Sequence, residues 1–210
     1  MSEIAKLAAA IFKRAARTRR FVVGIAGPPG AGKSTIAEEL RTLLPEGTAV
    51  VVPMDGFHFD DAILVRRGLR NRKGAPETFD LSGFEHLLRR IRAAEAEIAI
   101  PVFDRSMELS RAAADIVDAS TKFVLVEGNY LLLDELPWRR LAPLFDFTIY
   151  LDVPREELER RLMQRWHDHG RAPDDARAWV ASNDMPNVDR VLSHRRPADL
   201  VLEVRAAPSR

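Results

Sequence analysis

Residues 21–35 read FVVGIAGPPGAGKST, and this stretch decides the fold of the chain. Its first six residues form a short apolar run with β-branched side chains, which predicts a strand buried on both faces. A glycine-rich turn follows at residues 27–32, and residues 34–44 have the spacing of a helix. A strand, a glycine-rich loop and a helix in this order are the structural context of a phosphate-binding loop.

The loop matches the eight-position P-loop pattern, with Gly27, Gly32, Lys33 and Ser34 at the fixed positions. Glycines allow backbone amides to approach a phosphate without Cβ clashes, and the helix N-terminus adds its free N–H groups. We expect Lys33 to reach the β- and γ-phosphates and the Ser34 hydroxyl to bind Mg²⁺. The predicted nucleotide contacts are Gly27, Pro28, Pro29, Gly30, Ala31, Gly32, Lys33, Ser34 and Thr35.

The rest of the chain has the composition of a globular protein. Its 210 residues are 46% hydrophobic and 30% charged, which predicts one domain with a buried core. Lys and Arg total 32 against 31 Asp and Glu, and this balance argues against a nucleic-acid or anionic-membrane partner. The absence of cysteine excludes disulfides, thiolate metal sites and cysteine nucleophiles. No apolar run approaches the roughly 18 residues of a membrane span, so we expect a cytoplasmic protein without membrane insertion.

Strands and helices continue to alternate along the chain. The patterns predict further strands over 48–53, 97–103, 122–127, 145–153 and 200–204, and helices over 3–19, 84–96 and 154–167. Such alternation favours a mostly parallel, doubly wound sheet between two layers of helices, a three-layer α/β/α fold. The basic amphipathic helix at the N-terminus could lie on a membrane, but packing against its own domain is favoured. Residues 206–210 are expected to fray.

Asp55 follows the second predicted strand, in the segment VVPMDGFH. In a parallel sheet, ligands gather beyond the carboxyl ends of the strands, so Asp55 is expected to face the phosphate loop. A carboxylate there could accept the proton of an acceptor hydroxyl or help to hold Mg²⁺. Asp-Gly is also a common turn pair, and the spacing alone leaves a turn-forming role before Gly56 equally open.

Glu127 ends the apolar strand VLVEG in the manner of a Walker B segment. It could ligate Mg²⁺ through water or orient the reacting hydroxyl, and a helix or turn cap is the structural alternative. An isolated acid at the end of a buried strand is costly unless its charge is used. The functional interpretation of Glu127 is therefore favoured.

Arginines are concentrated in the predicted helix that starts at residue 154. Most of them belong to an ordinary solvated face supported by i,i+4 pairs. Arg161 and Arg165 lie one turn apart, however, and could point together at a transferring phosphate. Gly170 offers a hinge, so we expect a helical lid at residues 155–185.

Histidines and tryptophans are weaker candidates. His58 stands near Asp55 and is a candidate substrate contact. His167 and His169 have no acidic cluster around them in the sequence, which argues against a metal site. The tryptophans are expected to pack rather than to stack on a ligand; they are Trp138, Trp166 and Trp179.

The phosphate loop alone does not define the reaction. A GTPase would need the guanine-reading pattern Asn-Lys-x-Asp, which the chain lacks. The segment DLSG at residues 80–83 fits Asp-x-x-Gly, but without that partner it is interpreted as a turn or a helix cap. Motor and AAA-type ATPases need a longer chain, whereas small-molecule kinases have this length.

Six segments resemble the phosphoribulokinase, uridine kinase and bacterial pantothenate kinase superfamily, a group of P-loop kinases, across nearly the whole chain. They are residues 27–35, MDGFH at 54–58, RGL at 67–69 with RKGAPETFD at 72–80, PVFDR at 101–105, VEGNY at 126–130 and YLDVP at 150–154. The stretch at 67–80 is similar to pantothenate kinases, whereas the length is closer to that of uridine kinases. Within the superfamily the chain is most similar to short bacterial fructose transport system kinases.

This resemblance implies a kinase that uses ATP and Mg²⁺ to phosphorylate a hydroxyl of a small metabolite. By motif match, Asp55 takes the position of the catalytic base and Glu127 that of the strand-end acid. The catalytic candidates are Asp55, Lys33, Glu127, Arg161 and Arg165, and the metal candidates are Ser34, Glu127 and Asp55. The candidate acceptor contacts are Asp55, His58, Phe103, Asp104, Arg105 and Tyr130. The family usually has tyrosine at the position of Phe103, so a contact through that hydroxyl is lost here.

The acceptor stays open at this stage. A sugar such as fructose, a nucleoside or a pantothenate-like molecule fits the resemblance. A nucleoside-monophosphate-type kinase is the alternative enzyme, because clustered basic residues can recognise an acceptor phosphate; they are Arg66, Arg67, Arg70, Arg72 and Lys73. A nucleotide-dependent regulatory ATPase is the alternative from another class, although it would not need Asp55 and Glu127. Homodimers are common among soluble proteins and in this superfamily, so a homodimer is open as well.

Overall fold

The main sheet contains five strands, all of them parallel to their neighbours. The computed structural model describes residues 2–204, and the predicted fraying of residues 206–210 lies outside them. The strands follow the order β2-β5-β1-β6-β7 across the sheet. Their bounds are Phe21–Ala26 (β1), Ala49–Pro53 (β2), Phe123–Gly128 (β5), Phe147–Asp152 (β6) and Leu200–Glu203 (β7). These bounds confirm five of the predicted strands to within two residues at each end.

Seven α-helices accompany the sheet within residues 2–204. They are Glu3–Arg14 (α1), Lys33–Leu43 (α2), Asp61–Arg66 (α3), Leu81–Arg92 (α4), Arg155–Asp168 (α5), Pro173–Trp179 (α6) and Met185–His194 (α7). A π-helical turn, Val180–Asp184, joins α6 to α7, and α3 and α6 are too short to show a helical period in the sequence. No helix in this part of the chain is both long and apolar enough to span a membrane.

The sheet separates two hydrophobic clusters, one on each face. Along β1, Val22 faces one cluster and Val23 the other, as the two-residue period of a strand requires. Helix α4 packs in the first cluster, and α1, α2 and α5 pack in the second. This arrangement is the predicted three-layer α/β/α fold. Helix α1 buries Leu7, Ala8 and Ile11, so it packs against its own sheet as expected.

The predicted strand at 97–103 forms, but it lies outside the main sheet. Glu97–Asp104 (β3) pairs antiparallel with Leu109–Asp118 (β4), and the two form a separate hairpin. The register shifts next to Pro101, which has no N–H for the ladder. The strand prediction is confirmed, whereas its expected place in the parallel sheet is wrong. Strand β4 was missed because residues 111–116 are exposed and do not alternate between apolar and polar.

Asp80 is the N-cap of α4. Its carboxylate accepts a hydrogen bond from the backbone N–H of Gly83 at 3.0 Å. The Asp-x-x-Gly segment is therefore a helix cap, as the missing guanine-reading pattern indicates.

Arg20 ties the hairpin and the end of α4 to the start of the central strand. Its residue surface is 8% exposed, and its guanidinium donates to the carbonyls of Asp118 at 2.6 Å, Thr121 at 3.2 Å and Glu95 at 3.2 Å. A charged donor that bonds carbonyls from several segments fixes their relative positions. Because the hairpin carries residues of the functional site, this anchor supports that site from a distance.

Replacing Arg20 with methionine is expected to destabilise the protein by about 2–4 kcal/mol, since several carbonyls lose their donor. Urea or thermal unfolding measures this change. Arg19→Met is the matched control, because Arg19 is exposed and its loss is expected to change stability by less than about 0.5 kcal/mol. Equal stability of the two variants would contradict the anchoring role.

Candidate active site

A cavity of about 830 Å³ lies at the carboxyl ends of the central strands. Its walls are the loop between β1 and α2, the residues that follow β2 and β5, the hairpin, and helices α5–α7. Parallel α/β sheets bind their ligands at this edge. The cavity brings together Pro29, Gly30, Gly32, Lys33, Ser34, Thr35, Asp55, His58, Phe103, Arg105, Glu127, Arg161 and Arg165 from the predicted site.

The loop between β1 and α2 depends on two glycines with left-handed backbone conformations. Gly30 has φ 83° and Gly32 has φ 91°, values that other residues rarely adopt. Gly32 is also the N-cap of α2, so the first amides of that helix have no intrahelical partner and can bind an anion. Gly27, Pro28 and Ala31 are not part of the cavity wall and form the back of the loop.

Lys33 is a buried cation beside two carboxylates. It is 8% exposed, and its ammonium donates to the carbonyl of Pro28 at 3.0 Å. Burial lowers the pKa of Lys33 to about 8, although Glu127 and Asp55 act in the opposite direction. A phosphate in the cavity would stabilise the charged form of this lysine.

Ser34 and Glu127 provide oxygen atoms of the kind that Mg²⁺ prefers. The Ser34 hydroxyl donates to Oε1 of Glu127 at 3.1 Å. Burial, together with the charge of Asp55, raises the pKa of Glu127. Within residues 2–204, no group of three or more acidic, histidine or cysteine side chains forms a ready-made metal site. Mg²⁺ uses few protein ligands and completes its octahedron with water and phosphate oxygens, so this sparse donor set fits the ion.

Asp55 lies in the 3₁₀ turn that directly follows β2, as the Asp-Gly pair predicts. Its Oδ2 accepts a hydrogen bond from Nη2 of Arg105, in the hairpin, at 2.7 Å. Burial alone would raise the pKa of Asp55, but nearby positive charges, among them Arg105 and Lys33, outweigh it and lower the pKa. The turn therefore presents an ionised carboxylate to the cavity.

His58 and Phe103 form an aromatic wall next to Asp55. Their ring centroids are 4.9 Å apart, and Nδ1 of His58 lies 2.9 Å from the backbone carbonyl oxygen of Asp55. Burial lowers the pKa of His58, so its ring is neutral at pH 7. Because a carbonyl oxygen only accepts, Nδ1 carries the proton and donates to Asp55, which leaves Nε2 as a hydrogen-bond acceptor.

Two of the predicted acceptor contacts do not reach the cavity wall. Asp104 accepts hydrogen bonds from the backbone N–H groups of Ser106 at 3.0 Å and Met107 at 3.2 Å, which shapes the hairpin turn. Tyr130 is fully buried, and its hydroxyl donates to the carbonyl of Gly74 at 2.5 Å. Both side chains are hydrogen-bonded to the protein's own loops, so the structure does not bring these two predicted contacts to the cavity with the others.

The two lid arginines have different surroundings. Arg161 pairs with Glu157 at 2.7 Å, so part of its hydrogen-bonding capacity is used within the protein. Arg165 makes no ion pair or hydrogen bond to any described residue, and its guanidinium lies 5.8 Å from the ring centroid of Trp166. Burial and the charge of Arg105 lower the pKa of Arg165. Of the two arginines predicted to face the phosphate, Arg165 is therefore the one with unused donors at the cavity.

Two tryptophans in residues 155–185 line the cavity, although the sequence predicts only that they pack. Trp166 and Trp179 line the cavity, and the guanidinium of Arg171 lies 4.3 Å and 4.8 Å from their ring centroids. The indole N–H of Trp166 donates to Asp184 at 2.6 Å. The tryptophans pack on each other as expected, but they also border the ligand space. No motif marks them, because this contact requires α5 and α6 to fold back on each other at Gly170.

Further polar residues line the cavity: Arg70 and Lys73 from the basic stretch, and Asn129 and Asn187, which the sequence does not predict as site residues. Arg70 and Lys73 share the carboxylate of Asp61, at 2.6 Å and 2.7 Å. Asn129 belongs to the VEGNY segment, which could have marked it, whereas Asn187 lies in the unpredicted helix α7.

A second groove of about 600 Å³ extends along α2, β2 and the hairpin. It shares Ser34, Asp55 and Glu127 with the larger cavity. The two carboxylates therefore border both spaces.

A model of the phosphoribulokinase / uridine kinase family matches residues 22–207, which contain the whole of this site. The chain belongs to this family. Its fold is accordingly that of the P-loop kinases, and nucleotide binding at the glycine-rich loop is a property of the family.

Individual relatives show the same similarity. A crystal structure described as "putative fructose transport system kinase" from Silicibacter sp. TM1040 has a TM-score of 0.90 at 41% identity, covering 96% of this chain and 100% of that one. A protein from Escherichia coli strain K12 described as "Uncharacterized protein YggC" is 40% identical over 89% of this chain and 78% of its own length. A pantothenate kinase from Corynebacterium diphtheriae is 31% identical over 87% of this chain and 67% of its own length.

Binding of Mg-ATP is expected to take up protons at about pH 8.5. Lys33 has a pKa of about 8 in the free protein, so at that pH most molecules carry a neutral amine, which a bound phosphate would recharge. Affinity should therefore fall as the pH rises through about 8. Calorimetry in two buffers of different ionisation enthalpy measures the uptake.

Lys33→Met is expected to abolish this proton uptake together with most of the affinity for nucleotide. Lys6→Met, on the exposed face of α1, is the matched control and should leave both unchanged. A binding enthalpy that is independent of the buffer in the wild type would contradict the low pKa of Lys33.

Proposed function

We propose that the protein is an ATP-dependent kinase that transfers the γ-phosphate to a hydroxyl of a small metabolite. One observation carries this proposal: the carboxylate of Asp55 and the phosphate loop face the same cavity, near enough for the charge of Lys33 to affect Asp55. Transfer of a phosphate to a hydroxyl needs a carboxylate beside the phosphate loop to accept the hydroxyl proton, whereas nucleotide binding alone does not.

The phosphate loop supplies the nucleotide side of the proposed reaction. The amides of α2 and the ammonium of Lys33 would bind the β- and γ-phosphates. Ser34 and Glu127 would hold Mg²⁺, with Asp55 nearby, and the ion would neutralise charge on the phosphate oxygens. Arg165 has free donors at the cavity and suits the charge that spreads over the group in transfer.

Asp55 is the proposed base. Because its pKa is lowered, its carboxylate is ionised at neutral pH and can orient the acceptor hydroxyl. It accepts the hydroxyl proton as the new bond between oxygen and phosphorus forms and the bond to ADP breaks. Glu127 instead accepts the hydrogen bond of Ser34, the proposed metal ligand, and this contact supports a role on the metal side. The different neighbours of the two acids thus favour two different tasks.

The acceptor is proposed to be a sugar such as fructose, a nucleoside or a pantothenate-like molecule. The relatives support this range, since they include pantothenate kinases and the "putative fructose transport system kinase", and the family includes uridine kinases. The wall of His58 and Phe103 offers an apolar surface with one hydrogen-bond acceptor, Nε2 of His58, next to Asp55. The lid, residues 155–185, is proposed to exclude water during transfer.

A phosphate acceptor, as in nucleoside-monophosphate-type kinases, is the second candidate because Arg70 and Lys73 line the cavity. Asp61 offsets part of their charge, however, and Arg67 stacks on Phe59 at 4.2 Å instead of joining them. The basic stretch is thus divided by the fold, and the hydroxyl acceptor is favoured. A regulatory ATPase is favoured least, because it has no acceptor hydroxyl and therefore does not explain the carboxylate of Asp55 at the cavity.

Asp55→Asn is expected to lower kcat by about 10²–10⁴-fold, because it removes the base. Affinity for Mg-ATP should stay near the wild-type value, since the phosphate loop is untouched. Steady-state kinetics and calorimetry measure the two quantities. Near-normal kcat would contradict the role of base, and a loss of nucleotide affinity would assign Asp55 to the metal.

Asp60→Asn is the matched control for this variant. Asp60 is an exposed N-cap of α3, and asparagine caps a helix equally well. Both kcat and nucleotide affinity should therefore remain unchanged.

An ADP-release assay with Mg-ATP tests the proposed function as a whole. The panel contains fructose and other sugars, ribonucleosides, pantothenate, and the monophosphates of these compounds. We expect ADP release to depend on one of the unphosphorylated members. Activity with phosphorylated members alone would favour the second candidate, and nucleotide binding without any stimulated turnover would favour a regulatory ATPase.

A further inference from the structure

Glu157 is a buried carboxylate in the first turn of α5 that the reaction itself does not use. It is 7% exposed, and it accepts hydrogen bonds from Nε of Arg161 at 2.7 Å and from Arg160 at 2.8 Å. Hydrogen bonds from both arginines lower the pKa of Glu157 to about 2. The carboxylate is therefore ionised at every working pH and holds both guanidinium groups.

Only one of these two arginines reaches the phosphate loop. Nη1 of Arg161 donates to the carbonyl oxygens of Gly30 at 3.4 Å and Ala31 at 3.5 Å. Arg160 points elsewhere, with a side chain that is 59% exposed. Glu157 thus connects α5 to the loop through Arg161 alone.

Helix α5 also packs directly on the loop at Gly30. A Cβ at Gly30 would lie 3.3 Å from Cγ of Leu162 and 3.4 Å from the carbonyl oxygen of Leu158. The first turns of α5 therefore support the loop. They also hold Arg161 within hydrogen-bond distance of the carbonyls of Gly30 and Ala31.

The position of a carbonyl determines where the next amide points. In a trans peptide, the C=O and the following N–H lie in one plane and point in opposite directions. When the carbonyl of Ala31 is held towards Arg161, the N–H of Gly32 is turned away from it. Gly32 lines the cavity, and its N–H serves no acceptor among the described residues. This amide is thereby left for the phosphate.

We propose that Glu157 and Arg161 are positioning residues for the phosphate loop. Glu157 orients Arg161, and Arg161 holds the carbonyl of Ala31, next to that of Gly30, so that the N–H of Gly32 faces the β-phosphate. Arg161 then acts on the loop through its carbonyls, whereas Arg165 remains the arginine proposed for the transferred group. This inference rests on the nucleotide-binding half of the proposed function and is independent of the acceptor.

The test measures the affinity of four variants for Mg-ADP and for Mg-ATP by calorimetry, with the melting temperature of each nucleotide-free protein alongside. Glu157→Gln and Arg161→Met are expected to weaken both nucleotides by about tenfold, and by equal factors, because the β-phosphate is common to both. Glu156→Gln and Arg160→Met are the matched controls. Glu156 is exposed, and Arg160 shares Glu157 without touching the loop, so both controls should stay within about twofold of the wild type.

The double variant Glu157→Gln/Arg161→Met is expected to bind no more weakly than Arg161→Met, since Glu157 acts through Arg161. Arg161→Lys serves if the methionine variant fails to fold, because a single ammonium cannot bridge the carboxylate and both carbonyls. It should reproduce most of the loss of affinity.

Three results would overturn the inference. Wild-type affinity in Glu157→Gln, with or without a lower melting temperature, would leave the residue a merely structural role. A loss confined to ATP would show that Arg161 touches the γ-phosphate directly. An equal loss in Arg160→Met would remove the distinction between the arginines. If the wild type binds both nucleotides but phosphorylates no acceptor, the proposed function fails while this inference is still decided by the binding data.

Discussion

The charge of Lys33 is the constraint on which the rest of the site depends. An ammonium group in a pocket with little water is costly, and burial brings its pKa down to about 8. Glu127 and Asp55 reduce this cost, but Glu127 is itself a buried acid at the end of a strand, and Asp55 is half-buried in the turn that follows one. The three groups therefore stabilise one another, and none could be made apolar without leaving the others uncompensated. A nucleotide phosphate adds negative charge and its divalent cation adds positive charge, so the positive and negative charges of the site stay balanced when both bind.

Two glycines allow these charges to meet. A side chain at Gly56 would overlap the carbonyl of Pro101, and a Cβ at Gly128 would lie 2.5 Å from Cβ of Met54. The first contact brings the hairpin against the turn that carries Asp55, so that Arg105 can reach its carboxylate. The second brings that turn against the end of β5, where Glu127 lies. Both approaches are closer than any side chain other than hydrogen permits.

The parts of the site that follow from the sequence are those fixed by local order. The phosphate loop is contiguous, and its glycines, Lys33 and Ser34 are required at set spacings. Asp55 and Glu127 were predictable because parallel strands bring their carboxyl ends to one edge. The burial of Tyr130 does not follow from its segment, since a motif does not reveal whether a side chain turns to the core or to the ligand. Strand β4 and the position of the tryptophan pair depend on packing between distant segments. Such packing produces no periodicity or motif in the sequence, so neither could be predicted.

Residues 155–185, the proposed lid, have a fixed base and an end that borders the ligand space. Leu158 and Leu162 rest on the phosphate loop, so the first two turns of α5 cannot move without moving the loop. Beyond Arg161 the helix is bounded by the cavity, and the bond between Trp166 and Asp184 joins it to the π-helical turn that follows α6. A closure that bends α5 beyond this base would carry Arg165 and the tryptophans as one body towards the nucleotide. The loop would keep its shape during that movement, which is what a site needs if it binds nucleotide before it closes on an acceptor.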